Sequence, residues 1–270
     1  MTPSPSENNA STSAKASATP IDWQQIRAIS FDLDDTLWPV WPTITRAEQA
    51  LLEWFKAHAP ATAEQFPKPE SLRTLRDQVQ QNRPDLRHDL GGMRREAIRL
   101  ALLQTGHDES RSDALTDAAH QVFYQARQQV EFYDDALDCL TFLSARLPLV
   151  SLSNGNADVH AIGCGHFFKA NFSAHLAGCA KPDPRFFQMA AASQGLTCAQ
   201  VLHVGDDAHL DVVGALLAGM PAVWLNRDGK DWPPSAQAAL AAPRPASEAL
   251  PQHLMLSNLT QLCEWVSALN

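Results

Sequence analysis

Two absences narrow this 270-residue chain before any motif is read. It contains no apolar run of the roughly 18 residues that a membrane-spanning helix needs, and its Lys and Arg residues are scattered, with no basic stripe and no aromatic-basic interleaving. With a net charge of −9, the second absence argues against a partner held through a phosphate backbone. Neither nucleic acid nor a membrane is expected as partner. Cysteine is also sparse: the five, at 139, 164, 179, 198 and 263, are odd in number, widely spaced and free of any C-x-x-C pair. That pattern suits reduced core thiols of a cytoplasmic protein, not a disulfide framework or a zinc site. The stretch "MTPSPSENNASTSAKASATP" lacks the basic start and apolar middle of a signal peptide, and its single Lys and lack of Arg suit a transit peptide poorly. Residues 1–20 read as a disordered tail that buries nothing.

What is present is an ordinary globular composition, 45% hydrophobic, long enough for one large domain or a domain carrying an inserted second one. "IRAISFDL" is a continuous β-branched and apolar run that ends in polar residues, the pattern of a buried strand. From residue 43 the texture turns helical. "TITRAEQALLEWFKAHAP", "SLRTLRDQVQQNRP", "DLGGMRREAIRLALLQTG" and "RSDALTDAAHQVFYQARQQ" follow one another with no strand between them, so a separate helical module is expected over 41–129. From residue 134 the pattern alternates. A helix over "DDALDCLTFLSAR" leads to a strand "LPLVSLSN", a short helix near "ADVHAIGCG", a strand near "NFSAHLAG" and a helix after "KPDP". A strand "QVLHVGD", a helix "LDVVGALLAG" and a strand "PAVWLN" complete the series; 227–253 reads as a Pro- and Ala-rich surface loop, and "NLTQLCEWVSAL" as a closing helix. Alternation of this kind predicts an α/β core over 21–40 and 130–270, with a parallel sheet covered by helices on both faces. The helical insertion then lies beyond the carboxyl ends of the strands, where such sheets bind ligands.

Chemistry concentrates at those strand ends. "AISFDLDDTLW" places Asp32, Asp34, Asp35 and Thr36 together. Side chains two apart in a strand share a face, so Asp32 and Asp34 point into the crevice while Leu33 and Asp35 point away. Two adjacent carboxylates call for a hard cation such as Mg²⁺, although D-x-D alone is more often a solvated strand end. "LVSLSNGN" ends in Ser153 and Asn154, neutral donors suited to phosphate oxygens; taken alone it is an ordinary turn. "CAKPDPRFF" sets Lys181 before a helix-starting Pro, and "VLHVGDDAHLD" ends a strand in Asp206 and Asp207 with Asp211 one turn beyond, which by itself could be an N-cap with first-turn acids. Convergence of all four on one end of one sheet is what lifts them above these simpler readings.

In these residues the chain resembles the haloacid-dehalogenase superfamily of phosphotransferases: "DLDDT", then Ser153, then Lys181, then "GDDAHLD", in that family's order. The long first gap and short later ones are similar to the subgroup whose helical cap is inserted after the first motif. "FDLDDTLW", "PLVSLSNGNADVHAIGCGHFF" and "VLHVGDDAHLDVVGALLAGMPAVW" bring a closer likeness to the bacterial riboflavin-pathway phosphatases, which act on 5-amino-6-(5-phosphoribitylamino)uracil and accept FMN. The resemblance implies a Rossmann-like core with an all-helical cap, Mg²⁺ as cofactor, and a small phosphomonoester as substrate. It also implies Asp32 as nucleophile, Asp34 as acid and base, and Ser153, Asn154, Lys181 and Thr36 around the phosphate. Asp32, the Asp34 carbonyl and Asp206 would hold the metal. Of Asp207 and Asp211, one is expected to bind metal-held water or pair with Lys181 and the other only to cap its helix. A monomer or homodimer is expected.

A phosphomutase keeps every one of these motifs. A dehalogenase on the same fold needs neither Asp34 nor the acidic cluster. A phospho-receiver domain would carry its aspartate on a later strand and have no helical insertion, and a non-catalytic binding module would be expected to have lost one of Asp32, Asp34, Lys181 or Asp206. The histidines at 160, 166, 175, 203 and 209 show no metal-ligand spacing. Trp54, Phe55, Phe123 and Tyr124 fit helix packing, while Trp38 and Trp41, in the hinge, are candidates to stack on a planar substrate ring.

Overall fold

In the computed structural model, residues 21–243 and 250–268 are described; the expected tail over 1–20 lies outside them. The first strand, β1 (Ala28–Phe31), is buried along its whole length, as the unbroken apolar run requires of a central parallel strand. With β2 (Leu149–Ser153), β3 (Phe168–Ser173), β4 (Val201–Gly205), β5 (Ala222–Leu225) and β6 (His253–Leu256) it forms one six-stranded sheet in the order β3-β2-β1-β4-β5-β6. Every pairing is parallel. The expected α/β core with helices on both faces is borne out.

Strand alternation builds the two faces. Ile29, Phe31, Leu149, Leu202 and Val204 point to one side, joined there by residues of α6 (Ala136–Ser144) and α12 (Leu259–Ser267). Ala28, Val150, Leu152, Val201 and Trp224 point to the other, against α9 (Pro184–Ser193) and α10 (Gly214–Leu217). Between β1 and β2 the chain makes α1 (Val40–His58), α2 (Pro60–Gln65), α3 (Arg73–Asn82), α4 (Leu90–Gln104) and α5 (Glu109–Arg127), with no strand among them. These helices close over an apolar cluster of their own that includes Leu51, Phe55, Ile98 and Phe123.

Three readings need correction. The stretch 227–253 is more than a loop: it holds α11 (Pro234–Ala241) and ends in β6, which pairs with β5 as the sheet's edge. Its Ala- and Pro-rich composition hid a helix begun by Pro234 and a strand of four residues. The strand near "NFSAHLAG" lies earlier, over "FKANFS", where Phe168, Ala170 and Phe172 alternate with polar residues; Ala174–Ala177 is instead a short helix. The helix expected over "LDVVGALLAG" opens as a π-helical turn, Ala208–Val213, before continuing as α10. Of the described residues, no helix is long and apolar enough to cross a membrane.

Candidate active site

β1 delivers Asp32 to the carboxyl end of the sheet, where its N–H still donates to the Val204 carbonyl at 2.9 Å. The chain then turns sharply. Leu37 N–H donates to the Leu33 carbonyl, and Asp35, at φ 59°, accepts from the Val40 N–H at 2.8 Å. Asp35 therefore ties the turn to the first residue of α1, and its charge still acts on Asp206.

One Asp32 oxygen accepts from Lys181 Nζ and the other from Thr36 Oγ1 at 3.2 Å. Lys181 also donates to Asp211 Oδ1 at 2.6 Å. Asp211 is held in turn by His203 Nε2 at 3.1 Å and the Asp207 N–H at 2.9 Å, and His203 shares its other ring nitrogen with Ser30 Oγ at 2.9 Å. Asp206 completes the group: Thr36 Oγ1 lies 3.4 Å from its carboxylate, and Trp224 Nε1 fixes its carbonyl at 2.8 Å. Oxygens of Asp32, Asp206 and Asp211 all lie within 4.8 Å of one another.

Three carboxylates face one ammonium here, and the charges respond. Burial pushes the Asp32 carboxyl up to about 7, against the pull of Lys181 and with Asp211 adding to the rise. Burial, then the repulsion of Asp32 and Asp211, pushes Asp206 up to about 8. Asp211 is equally buried, yet Lys181 and His203 together hold it below the ordinary carboxylate range. Burial also opposes the charge on Lys181, but Asp211 and Asp32 outweigh it and raise that amine above its usual value. The surplus is negative: Asp32 and Asp211 share Lys181, and Asp206 has no basic side chain bonded to it among the described residues. A small divalent cation fits that surplus and that donor set.

Asp34 occupies the same mouth. Both its oxygens accept from Arg127 Nη2, at 2.6 and 2.7 Å, and Oδ1 also accepts from Trp38 Nε1 at 2.8 Å. It lies so close to Gly155 that a Cβ there would sit 2.7 Å from Oδ2 and 3.3 Å from Ser153 Oγ. The glycine is what lets the Ser153 turn approach the carboxylate. Ser153 Oγ accepts from the Gly155 N–H at 3.0 Å, which leaves its own proton to donate.

Not every expected residue faces the crevice. Both polar atoms of the Asn154 amide are engaged by the Lys181 backbone, accepting from its N–H at 2.8 Å and donating one hydrogen to its carbonyl at 2.9 Å; Asn154 orients the lysine's loop and keeps its second amide hydrogen to donate. Asp207 accepts from the N–H groups of His209 and Leu210, so it caps the π turn while Asp211 pairs with Lys181. Trp38 is fully buried and offers no face for a substrate ring; Trp41, 65% exposed, stands at the start of α1. Sequence reasoning missed Arg127 and the polar pair Ser30 and His203. A signal existed for both: an arginine where the helical insertion returns to the core, and polar residues inside otherwise apolar strands.

Beside the Ser153 turn opens a cavity of about 530 Å³. Asp89, His120 and Tyr124 line it from the helical insertion, and Asn154, Gly155 and His160 from the core.

Comparison with known proteins follows this geometry. The family described as haloacid dehalogenase-like hydrolase matches residues 26–219. The 5-amino-6-(5-phospho-D-ribitylamino)uracil phosphatase YigB of Escherichia coli is 33% identical over 207 residues, 77% of this chain and 86% of its own length. A phosphoserine phosphatase of Thermus thermophilus is 33% identical over 54% of this chain and 59% of its own. Of solved structures, a 2-haloacid dehalogenase from Pseudomonas syringae superposes with a TM-score of 0.77 at 32% identity, covering 91% of this chain and all of that one.

Proposed function

This chain belongs to the haloacid dehalogenase-like hydrolase family, and on that premise we propose that it is a Mg²⁺-dependent phosphomonoester hydrolase working through an aspartyl-phosphate. The observation that carries this reading is the cluster of Asp32, Asp206 and Asp211, whose oxygens lie within 4.8 Å of one another around a single lysine, with Asp32 and Asp206 pushed up to about 7 and about 8. Asp32, Asp206 and the Asp34 backbone carbonyl would hold the ion. When bound, it offsets the repulsion between these acids and an incoming phosphate.

Uncatalysed phosphate-monoester hydrolysis is so slow that the enhancement can approach ~10²¹-fold. A positioned general acid supplies only about 10²- to 10⁴-fold, so several groups must act together. In this reading Asp32, aligned by Thr36 and Lys181, attacks phosphorus and so splits one displacement into two. Asp34 gives a proton to the departing alkoxide and later takes one from water. Lys181 and the Ser153 hydroxyl stabilise charge on the phosphoryl oxygens. Asn154 and Asp211 act through Lys181, by orienting its backbone and its amine.

For substrate, we infer a small metabolite with a neutral, polar leaving group, 5-amino-6-(5-phosphoribitylamino)uracil or FMN. The Escherichia coli relative's activity supports this, as does a cavity within the ~300–1,000 Å³ of small-molecule sites. The cavity's cations already have acids beside them: Arg95 bonds Asp117 at 2.7 Å, and His175 lies 3.0 Å from Asp89. The Nε2 of His120, also in the lining and unpartnered among the described residues, is a neutral group for a polar substrate atom, since burial holds that imidazole's pKa down. The free thiols, three of them buried, suit a reducing, cytoplasmic setting.

The likeness to a 2-haloacid dehalogenase favours a second reading, halide displacement by Asp32. That chemistry has no use for Asp206 or for Asp34. A screen for phosphate release across sugar phosphates, nucleotides and FMN, with and without Mg²⁺, beside halide release from 2-chloropropionate, decides between them. Mg²⁺-dependent phosphate release with ribityl phosphates ranked first is expected. Halide release alone would remove the phosphatase reading, and an even ranking would remove only the substrate.

A further inference from the structure

The Arg127 side chain is not accounted for by the chemistry above. It is 1% exposed, yet its Nη1 has no hydrogen-bond partner among the described residues. Burying a guanidinium with an unmatched nitrogen is costly, and the like charge of Arg94, felt across the same interior, adds to that cost. The contact Arg127 does make is specific. One nitrogen, Nη2, reaches both oxygens of Asp34, 93 positions away, while Trp38 Nε1 holds Oδ1 from the other side. Between them they press the carboxylate against the Ser153–Gly155 turn, where even a methyl group on Gly155 would collide with it. Arg127 is also the last residue of α5, where the chain leaves the helical insertion for the core.

We propose that Arg127 is a positioning residue for Asp34, the group through which the helical insertion aims the acid at the leaving oxygen. The inference rests on the phosphatase reading. In the first step the Asp32 oxygen bonds to phosphorus as the ester P–O bond breaks, and the Asp34 proton passes to the departing alkoxide. The carboxylate left behind is received in place by Arg127 and Trp38, so that it is already aimed when water must be deprotonated. An acid adrift by an ångström can lose about 10²-fold.

The prediction separates aim from general stability because a good leaving group needs no proton. Arg127→Ala is expected to lower kcat/KM for the fastest alkyl phosphomonoester of the screen by about 10²-fold, within the range a general acid supplies. For para-nitrophenyl phosphate the same variant is expected to lose less than about tenfold, because general acid catalysis is not needed there. Guanidinium chloride at non-denaturing concentration should restore part of the alkyl rate, and Arg127→Lys should show the same selectivity in weaker form. Should Arg127→Ala fail to fold, as judged by circular dichroism and the thermal midpoint, the ratio is read from Arg127→Lys. Equal losses on both esters, or no loss on either, would overturn the inference and leave the phosphatase reading standing. A wild-type enzyme that releases no phosphate from either ester would overturn both.

Discussion

The molecule buries two clusters of charge, and they are unbalanced in opposite directions. At the strand ends, Asp32, Asp206 and Asp211 face Lys181. Inside the helical insertion, Arg76 and Arg94 face the single carboxylate of Glu48, each at 3.3 Å. The second imbalance is relieved by the insertion's own side chains: burial, then Arg76, pushes the Arg94 guanidinium down to about 9, but Glu48 pulls against that, and the guanidinium's face rests 3.7 Å from the centre of the Phe123 ring. The first has no such relief, and its acids remain pushed up. Surplus charge that a fold settles with its own side chains is structure; surplus that it leaves open is a binding site. That contrast, more than any single motif, separates the catalytic end of the sheet from the scaffold above it.

The contrast can be broken from either side. The largest expected effect is at the proposed nucleophile: Asp32→Asn should reduce phosphate release by on the order of 10⁴-fold or more, with an unchanged circular dichroism spectrum, and retained turnover would remove Asp32 from the mechanism. In the insertion the expected losses are of stability. Phe123→Ala takes away a buried ring and the surface under Arg94, and should cost about 3–5 kcal/mol in urea unfolding. Glu48→Gln leaves two guanidiniums without an acid and should cost about 3 kcal/mol. The double change Glu48→Met with Arg94→Met should recover part of that loss, since an apolar pair of similar volume replaces the more deeply buried ion pair at little net cost while Arg76, less buried, is left without its acid. A double variant as unstable as Glu48→Gln would mean that the insertion depends on this charge and is not merely tolerating it.

How far the sequence disclosed this arrangement depended on range. The strand ends were legible because each apolar run stops in a polar residue, and a parallel sheet brings those ends together without further information. Thus Asp32, Ser153, Lys181 and Asp206 were expected at one end of the sheet, and the structure sets them there, while Asp35, past the strand and at φ 59°, lies beyond the reach of strand alternation. Side-chain partnership over long range was not legible. Nothing local says that Asn154 turns to the Lys181 backbone, that Trp38 points its indole N–H inward at Asp34, or that Arg127 crosses from the last turn of α5 to meet it. Composition misled over 234–241 and 253–256, where alanines and a short strand gave too little periodicity to outweigh the prolines.

The smallest predicted effect tests the open charge most directly, because it needs no mutation. Asp206 keeps its proton in the fold up to about pH 8, whereas the unfolded chain gives it up near the ordinary value of 3.8. Between those limits the folded state binds more protons than the unfolded one, so the metal-free protein must lose stability as pH rises. Asp211 and Lys181 do not blur this window: the first titrates below it and the second above it. A cation held at Asp32 and Asp206, as proposed, would take the proton's place, and its affinity would therefore climb over the same interval. The thermal midpoint in EDTA should fall from about pH 5 to about pH 8, and the gain on adding Mg²⁺ should widen, reaching about 2.7 kcal/mol where the ion is present at a hundred times its Kd. Asp206→Asn should flatten both curves above about pH 7 and leave below it the slope that Asp32, pushed up to about 7, contributes. A gain from Mg²⁺ that is constant across the window, or that survives Asp206→Asn, would place the ion elsewhere and leave the crowded carboxylates without the counter-charge argued for them here.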